Sequence, residues 1–311
     1  MATDTAWALR EDGVDRRRLN SQETLFTIGN GYLGTRGVFE EGFPGEGRGT
    51  FLHGVFDDAP VGFTELVNVP DWLHLEILLD GERFSLDRGL VEAYERSLDT
   101  KTGLVSRHVH WRSPAGRRAE LLFERFASLA QPHLVIARVS VRCPDPVERI
   151  EIRAGLGGNV DTVGRVHLEG LDQGVQRDAA WLASRTRDSR IEIGLAARLE
   201  VDGPRSVEWQ AWDARQRPTL VASFRGSSSW VRATKVAAYS TSREVEDPAE
   251  HARREVDAVA RPAWDSLWPA HQRAWDEEWR AADVEIEGDP DVQRAVRFNL
   301  YHLLIAAPRI E

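Results

Sequence analysis

Gly29-Asn30-Gly31-Tyr32-Leu33-Gly34 matches G-x-G-x-x-G, the spacing with which a glycine-rich turn lays backbone amides against a pyrophosphate. That chemistry needs a helix opening at the last glycine. The chain instead continues through Gly37, Gly42, Pro44, Gly45, Gly47 and Gly49, a density of glycine that no helix survives. The motif is therefore read as tight turns and close backbone packing. No Gly-Lys-Ser/Thr follows, so it is not a P-loop either. Carboxylic acids could move protons at a glycosidic oxygen, and adjacent pairs stand at Glu40-Glu41, Asp57-Asp58 and Glu277-Glu278. Among fifty acidic residues, spacing selects none of them, and each pair reads as a solvated face or loop rather than a catalytic set.

The histidines His53, His74, His108, His110 and His133 are scattered. His108-x-His110 on a strand would point both rings to one side, which begins a metal site, but spacing shows no third ligand and no metal is expected. Cys143 is the single cysteine, which excludes an intrachain disulfide and any multi-Cys zinc site. There is no G-x-S-x-G for a serine nucleophile. Arg16-Arg17-Arg18 reads as a solvated entry loop, with an anion-binding role as the weaker alternative. Trp72, just after Val67-Asn68-Val69-Pro70-Asp71, is either a strand anchor or a pocket wall. Of the eleven tryptophans, Trp264, Trp268, Trp275 and Trp279 cluster at spacings of 4, 7 and 4, near one helical face. They could stack on sugar rings; core packing at a helix–sheet junction is the plainer reading.

The elements that must position these residues are mostly strands. Ile191, Ile193, Leu195, Ala197 and Leu199 alternate with polar partners, as do Ala119, Leu121 and Phe123, the period-2 pattern of half-buried strands. Leu134–Val141 is apolar, β-branched and short. Asp80-Gly81, between Trp72–Leu79 and Arg83–Leu86, is a hairpin signal. Ser113-Pro114-Ala115-Gly116 reads as a turn between Leu104–Arg112 and Arg117–Ser128. Further strands are expected at Val147–Arg153, Arg165–Glu169, Ala180–Thr186, Thr219–Phe224 and Trp230–Ser242. So many short strands predict a large antiparallel sandwich. Helices follow from Asp247-Pro248, an N-cap and first-turn proline. Pro269 is expected to break the tryptophan segment into two helices. Asp291 to Leu304 reads as an amphipathic helix with Val292, Val296, Leu300 and Leu303/Leu304 on one stripe. That helix either folds back on the sandwich or linker, or begins an all-helical domain.

A chain of 311 residues buries a sizeable core without disulfides or metals. The formal net charge of −10 argues against a general nucleic-acid binder. No run reaches the roughly 18 apolar residues of a membrane span, and the start shows no signal-peptide stretch. A cytoplasmic protein is expected.

Thr24-Leu25-Phe26-Thr27-Ile28-Gly29-Asn30-Gly31-Tyr32-Leu33-Gly34-Thr35-Arg36-Gly37 resembles the N-terminal signature of glycoside hydrolase family 65, which holds maltose, trehalose and kojibiose phosphorylases and some hydrolases. Later segments resemble the family in the same order: Gly49–Asp57, Glu65–Trp72, Arg96–Asp99 with Thr102–Leu104, Glu124–Ser128, Pro132–Leu134, Ile286–Asp289, Gln293 and Arg297–Leu304. The resemblance implies a mainly β fold: an N-terminal antiparallel β-super-sandwich over residues 1–245, a helical linker over 246–284, and over 285–311 the first helix of an (α/α)6 barrel that is incomplete here. The orphan helix and the tryptophans would then pack at the sandwich–barrel junction.

The resemblance also implies inversion at the anomeric carbon of an α-linked disaccharide. One glutamic acid protonates the leaving oxygen while inorganic phosphate, a co-substrate and not a cofactor, attacks from the opposite face. Phosphate arrives ionised and needs no general base. In the family the acid, the sugar-binding Trp-Asp pair and the phosphate loop lie in the barrel, with no counterpart in residues 1–311. The expected site assignment is accordingly none for catalytic, cofactor-binding and metal residues alike, and the chain alone is expected to be inactive. A truncated or frameshifted frame, a split enzyme with a separately encoded barrel, and a stand-alone carbohydrate-binding module all remain open, as does a homodimer. The stripe Val296, Leu300 and Leu303 is expected to make the chain sticky, and removal of residues 288–311 to improve solubility.

Overall fold

The computed structural model describes residues 6–58 and 62–308. Two antiparallel sheets face each other across a shared core. Among the described residues the larger has nine strands, in the order Ala8–Glu11, Leu90–Asp99, Leu104–Arg112, Arg118–Ala127, Leu134–Arg142, Val231–Thr241, Glu192–Asp202, Ala179–Thr186 and Leu168–Gln176. The smaller has five: Glu208–Ala214, Arg217–Phe224, Ile150–Gly155, Leu75–Leu79 and Glu82–Arg83. Alternation sets the two faces. Val105, Val109, Leu121 and Val139 point inward from the larger sheet and meet Leu75, Ile77, Ile150, Ile152 and Leu220 from the smaller. The fold is the mainly β sandwich followed by helices that the sequence predicts.

Local chemistry explains the turns. Leu79 pairs with Glu82 across Asp80-Gly81, with φ of +49° and +84°, so both central residues take the left-handed conformation that suits the strand twist. Gly116, at φ +87°, closes the turn from Ser113. Strand Glu208–Ala214 is not anticipated: all seven of its residues are exposed, so it carries no burial pattern and is held as a sheet edge by Arg217–Phe224.

Helix α1 spans Leu19–Leu25. Helices α2 (Pro248–Ala258) and α3 (Ala263–Ala282) cover the outer face of the larger sheet. There Ala252, Val256, Trp264 and Leu267 bury Phe126, Leu134, Ile136, Val236 and Ala238. Asp247 caps α2, its carboxylate accepting from the Glu250 amide at 3.0 Å. Pro269 does not break α3, contrary to expectation. A proline inside a helix costs about 3 kcal/mol, but Trp264 and Leu267 before it and His271, Trp275 and Trp279 after it are all buried along one side. Anchors on both sides of the proline keep one axis.

Helix α4 (Pro290–Ala306) is capped by Asp289 and folds back on the sandwich. Its buried face is Gln293, Arg297, Tyr301 and Ile305, not the apolar stripe that its sequence suggests. Val292 is 44% and Leu303 67% exposed; Val296 and Leu300 are half-buried. The preference comes from partners outside the helix. Tyr301 stacks on Trp275 at 5.4 Å. Arg297 forks onto Asp283 at 2.8 and 2.7 Å and lies over the Trp7 ring at 3.8 Å. Gln293 closes on the extended link, donating to the Val284 carbonyl and accepting from the Ile286 amide. No helix among the described residues is long and apolar enough to cross a membrane.

Candidate functional site

The glycine motif builds a seat. Ile28–Gly29 and Leu33–Thr35 form a hairpin extended by Thr50–Leu52. Buried Asn30 organises its turn: Oδ1 accepts from the Tyr32 and Leu33 amides at 3.1 and 3.0 Å, and Nδ2 donates to the Ser128 and Pro132 carbonyls at 2.8 and 2.9 Å. Gly31, at φ +84°, donates its amide to the Ile305 carbonyl at 2.9 Å, in the last turn of α4. A Cβ on Gly29 would lie 2.9 Å from the Leu33 carbonyl oxygen and 3.3 Å from that of Ile305. The Tyr301 hydroxyl donates to the Thr27 carbonyl. No helix opens after Gly34, and the motif packs backbone against backbone.

Glu40 and Glu41 depart from the solvated reading: both are buried, among Arg96, Arg107 and Arg125 from three neighbouring strands. Arg107 donates to Glu41 Oε1 and Glu40 Oε2, each at 2.7 Å, and Arg125 to Glu40 Oε1 at 2.5 Å. The Arg107 guanidinium also lies 4.1 Å from the Phe123 ring centroid. Burial alone would raise the Glu40 pKa, but Arg125 and Arg107 outweigh it and hold the carboxyl below its ordinary value. This lattice pins the glycine-rich loop to the sheet and is closed to any substrate.

The loop's far side lines an open cleft of about 1140 Å³, with Arg36, Phe51, Asn68, Asp71, His74 and Arg217 on its walls. Arg48 is the hub: Nε donates to Glu46 at 2.6 Å, Nη1 to Asp71 at 2.7 Å and Nη2 to the Phe39 carbonyl at 2.6 Å. Burial pushes the Glu46 carboxyl up to about 7 against the pull of Arg48, and its Oε2 has no hydrogen-bond partner. Burial would raise Asp71 too, but Arg48 and the Leu73 amide keep it low. Beneath the cleft, Lys235 is fully buried and donates to the Gly155 and His74 carbonyls at 2.7 and 3.3 Å; burial brings its pKa down to about 7. Chemically this is a titratable wall. It is not a facing carboxylate pair, because one guanidinium fills the space between Glu46 and Asp71. Sequence reasoning missed Glu46, Arg48 and Lys235; a lone lysine in the apolar strand Val231–Thr241 was the available signal for the last.

The other candidates do not converge here, apart from His74. Asp57 is buried, accepting from the Ser189 and Asp188 amides at 2.8 and 3.0 Å and paired with His167 at 2.9 Å, while Asp58 is exposed. Glu277 is exposed and Glu278 half-buried on α3. His53 is exposed; His133 meets Glu244 at 3.3 Å. Trp72 is fully buried in the stretch just before strand Leu75–Leu79, its indole nitrogen 3.4 Å from the Thr35 hydroxyl, and is not on the cleft wall. Trp264, Trp275 and Trp279 are buried in the core and Trp268 is half-buried against Phe126, so the cluster packs rather than binds. Arg16–Arg18 form an exposed turn of helix.

Residues 9–278 match the Glycosyl hydrolase family 65, N-terminal domain. The chain is 31% identical over 316 residues to the kojibiose phosphorylase of Halothermothrix orenii, covering 97% of this chain and 40% of that protein. It is 27% identical over 335 residues to the alpha,alpha-trehalose phosphorylase of Thermoanaerobacter brockii, covering 97% and 43%. A solved structure from the human microbiome, provisionally named a kojibiose phosphorylase, superposes with a TM-score of 0.83 at 15% identity, over 97% of this chain and 42% of that one; at that identity the likeness shows the fold. The chain thus spans well under half the length of these relatives.

Proposed function

The chain belongs to glycosyl hydrolase family 65 through its N-terminal domain, and from that premise we propose that it is the sandwich-bearing N-terminal part of an inverting phosphorylase or hydrolase of α-linked disaccharides such as maltose, trehalose or kojibiose. The observation that carries this reading is the alignment itself: 97% of the chain matches disaccharide phosphorylases, within 40 to 43% of their length. The proposed division is a sandwich over 1–245, a linker over 246–284 and the first helix of the barrel over 285–311. The sandwich then braces the barrel: the signature hairpin holds the inner face of α4, and the exposed Val292 and Leu303 are left for further barrel helices. A homodimer or a separately encoded barrel would cover the same face. We place the protein in the cytoplasm, which agrees with one buried cysteine and no disulfide.

On this reading the proton donor and the phosphate site lie outside residues 1–311, and the chain alone does no chemistry. Supporting it, Glu40, Glu41 and Asp57 are buried away from solvent, and Glu46 and Asp71 share Arg48, whereas glycosidase carboxylates keep the gap between them for sugar or water. The test incubates purified chain with maltose, trehalose and kojibiose, with and without phosphate. No product is expected; release of glucose 1-phosphate or glucose overturns the proposal. The open cleft, with Arg36, Phe51, Asn68 and Arg217 on its walls, favours a second reading, a carbohydrate-binding module. Calorimetry with the same disaccharides tests it: heat at millimolar ligand supports it, and no heat counts against it.

A further inference from the structure

We propose that His108, His110 and Glu120 bind a divalent metal ion of the zinc class on the outer face of the nine-stranded sheet. The two imidazoles leave Leu104–Arg112 at alternate positions and so share a face, while Val105, Arg107, Val109 and Trp111 point inward and are buried. The third ligand, which spacing alone does not reveal, comes from the antiparallel neighbour Arg118–Ala127. There Glu120 is the register partner of His110 and lies diagonally from His108, whose own partner is Leu122. Oε1 of Glu120 is consequently 2.8 Å from Nε2 of His108 and 3.7 Å from Nε2 of His110. The ring centroids are 4.9 Å apart, and one ligand atom from each residue lies within 4.8 Å of the others.

Ligands of a tetrahedral ion bound at about 2.0–2.2 Å stand roughly 3.3–3.6 Å apart. The observed separations bracket that value, so small side-chain rotations on two fixed strands admit an ion. His108 and His110 are 42% and 45% exposed, which gives the ion a path and leaves its remaining coordination to water. Two imidazoles and one carboxylate favour zinc, cobalt, nickel or copper over magnesium or calcium. Arg142 holds Oε2 of the same carboxylate, its Nε at 2.5 Å. It orients Glu120 so that Oε1 faces the imidazoles, as an outer-shell partner does, and its charge weakens the site relative to one without it. Glu95, opposite His108 on the other neighbouring strand, adds a negative charge and pairs with Arg10 at 3.8 Å.

A second group, His133, His251 and Glu255, has its ligand atoms within the same 4.8 Å. It provides the comparison, because His251 already pairs with Ser240 at 2.8 Å and His133 with Glu244 at 3.3 Å. The experiment titrates the full 311-residue chain with cobalt(II), followed by its visible d–d absorption, and with zinc by calorimetry. Wild type is expected to show a saturable event that weakens at least about 10-fold in His108→Ala and in His110→Ala, falls in Glu120→Gln, and persists in His251→Ala. Far-UV circular dichroism should be unchanged in all four variants, since none of these side chains lies in the core between the two sheets. No binding by wild type, or binding that survives His108→Ala and disappears in His251→Ala, overturns the proposal.

Discussion

Replacing Arg107 with methionine removes the cation between two buried carboxylates. Glu40 and Glu41 would each lose a 2.7 Å bond and stay buried. Removing one partner of a buried pair costs about 3–5 kcal/mol, because the other charge is left uncompensated. Glu40 keeps Arg125 at 2.5 Å, so the loss falls chiefly on Glu41, which points to the lower end. At roughly 2 °C or more per kcal/mol for a chain of this size, the melting temperature should fall by about 6 °C. Urea unfolding at pH 7 measures the free energy directly, and the variant with Glu40→Gln and Glu41→Gln added should recover part of the loss. The loss should also shrink on acidification: the folded pKa of Glu40 lies below the unfolded value, so its pairing stabilises above the ordinary carboxylate range and disappears as pH falls through the folded value. A change under about 1 kcal/mol at pH 7, or no recovery on neutralising the glutamates, would refute the reasoning.

Lys235 gives an effect of opposite sign. Its folded pKa of about 7 lies below the free value of 10.5, so the unfolded chain holds the extra proton between those limits and stability rises with pH there. The slope should be about 1.4 kcal/mol per pH unit relative to Lys235→Met, measured by urea unfolding from pH 7 to 9; parallel curves would contradict it. Tyr301→Ala should cost about 3–5 kcal/mol, read by thermal melting, because the ring is buried and stacked on Trp275; a loss below about 1 kcal/mol would mean that α4 is not seated. The Asp283–Arg297 fork holds Asp283 below its ordinary value, so protease cleavage around α4 should increase as pH falls through that lowered value and not as it rises above neutrality.

Much of the sandwich was legible because burial alternates along its strands: Leu104–Arg112 has the same bounds from pattern and from structure. The hairpin at Asp80-Gly81 was legible from turn chemistry alone. Features set by distant partners were not. Glu40-Glu41 in a glycine-rich loop looks solvated, and the arginines that bury it come from strands far along the chain; the clue was Arg107 at an inward position flanked by Val105 and Val109. Helix α4 shows an apolar stripe, yet Asp283, Trp7 and Trp275 select the face carrying Arg297 and Tyr301. Removing residues 288–311, which the stripe alone suggests would aid solubility, should instead uncover Trp275 and the hairpin. The cleft was invisible because Arg48 joins Glu46 to Asp71 across 25 positions of sequence, 71 less 46.

That the signature glycines seat α4 is tested most directly by hydrogen exchange at the Gly31 amide, which donates to the Ile305 carbonyl at 2.9 Å. In the intact chain this amide should be protected, and in the chain ending at residue 287 it should exchange at least about 10-fold faster, while amides in Leu134–Arg142 keep their protection. Equal protection of Gly31 in both chains would contradict the account.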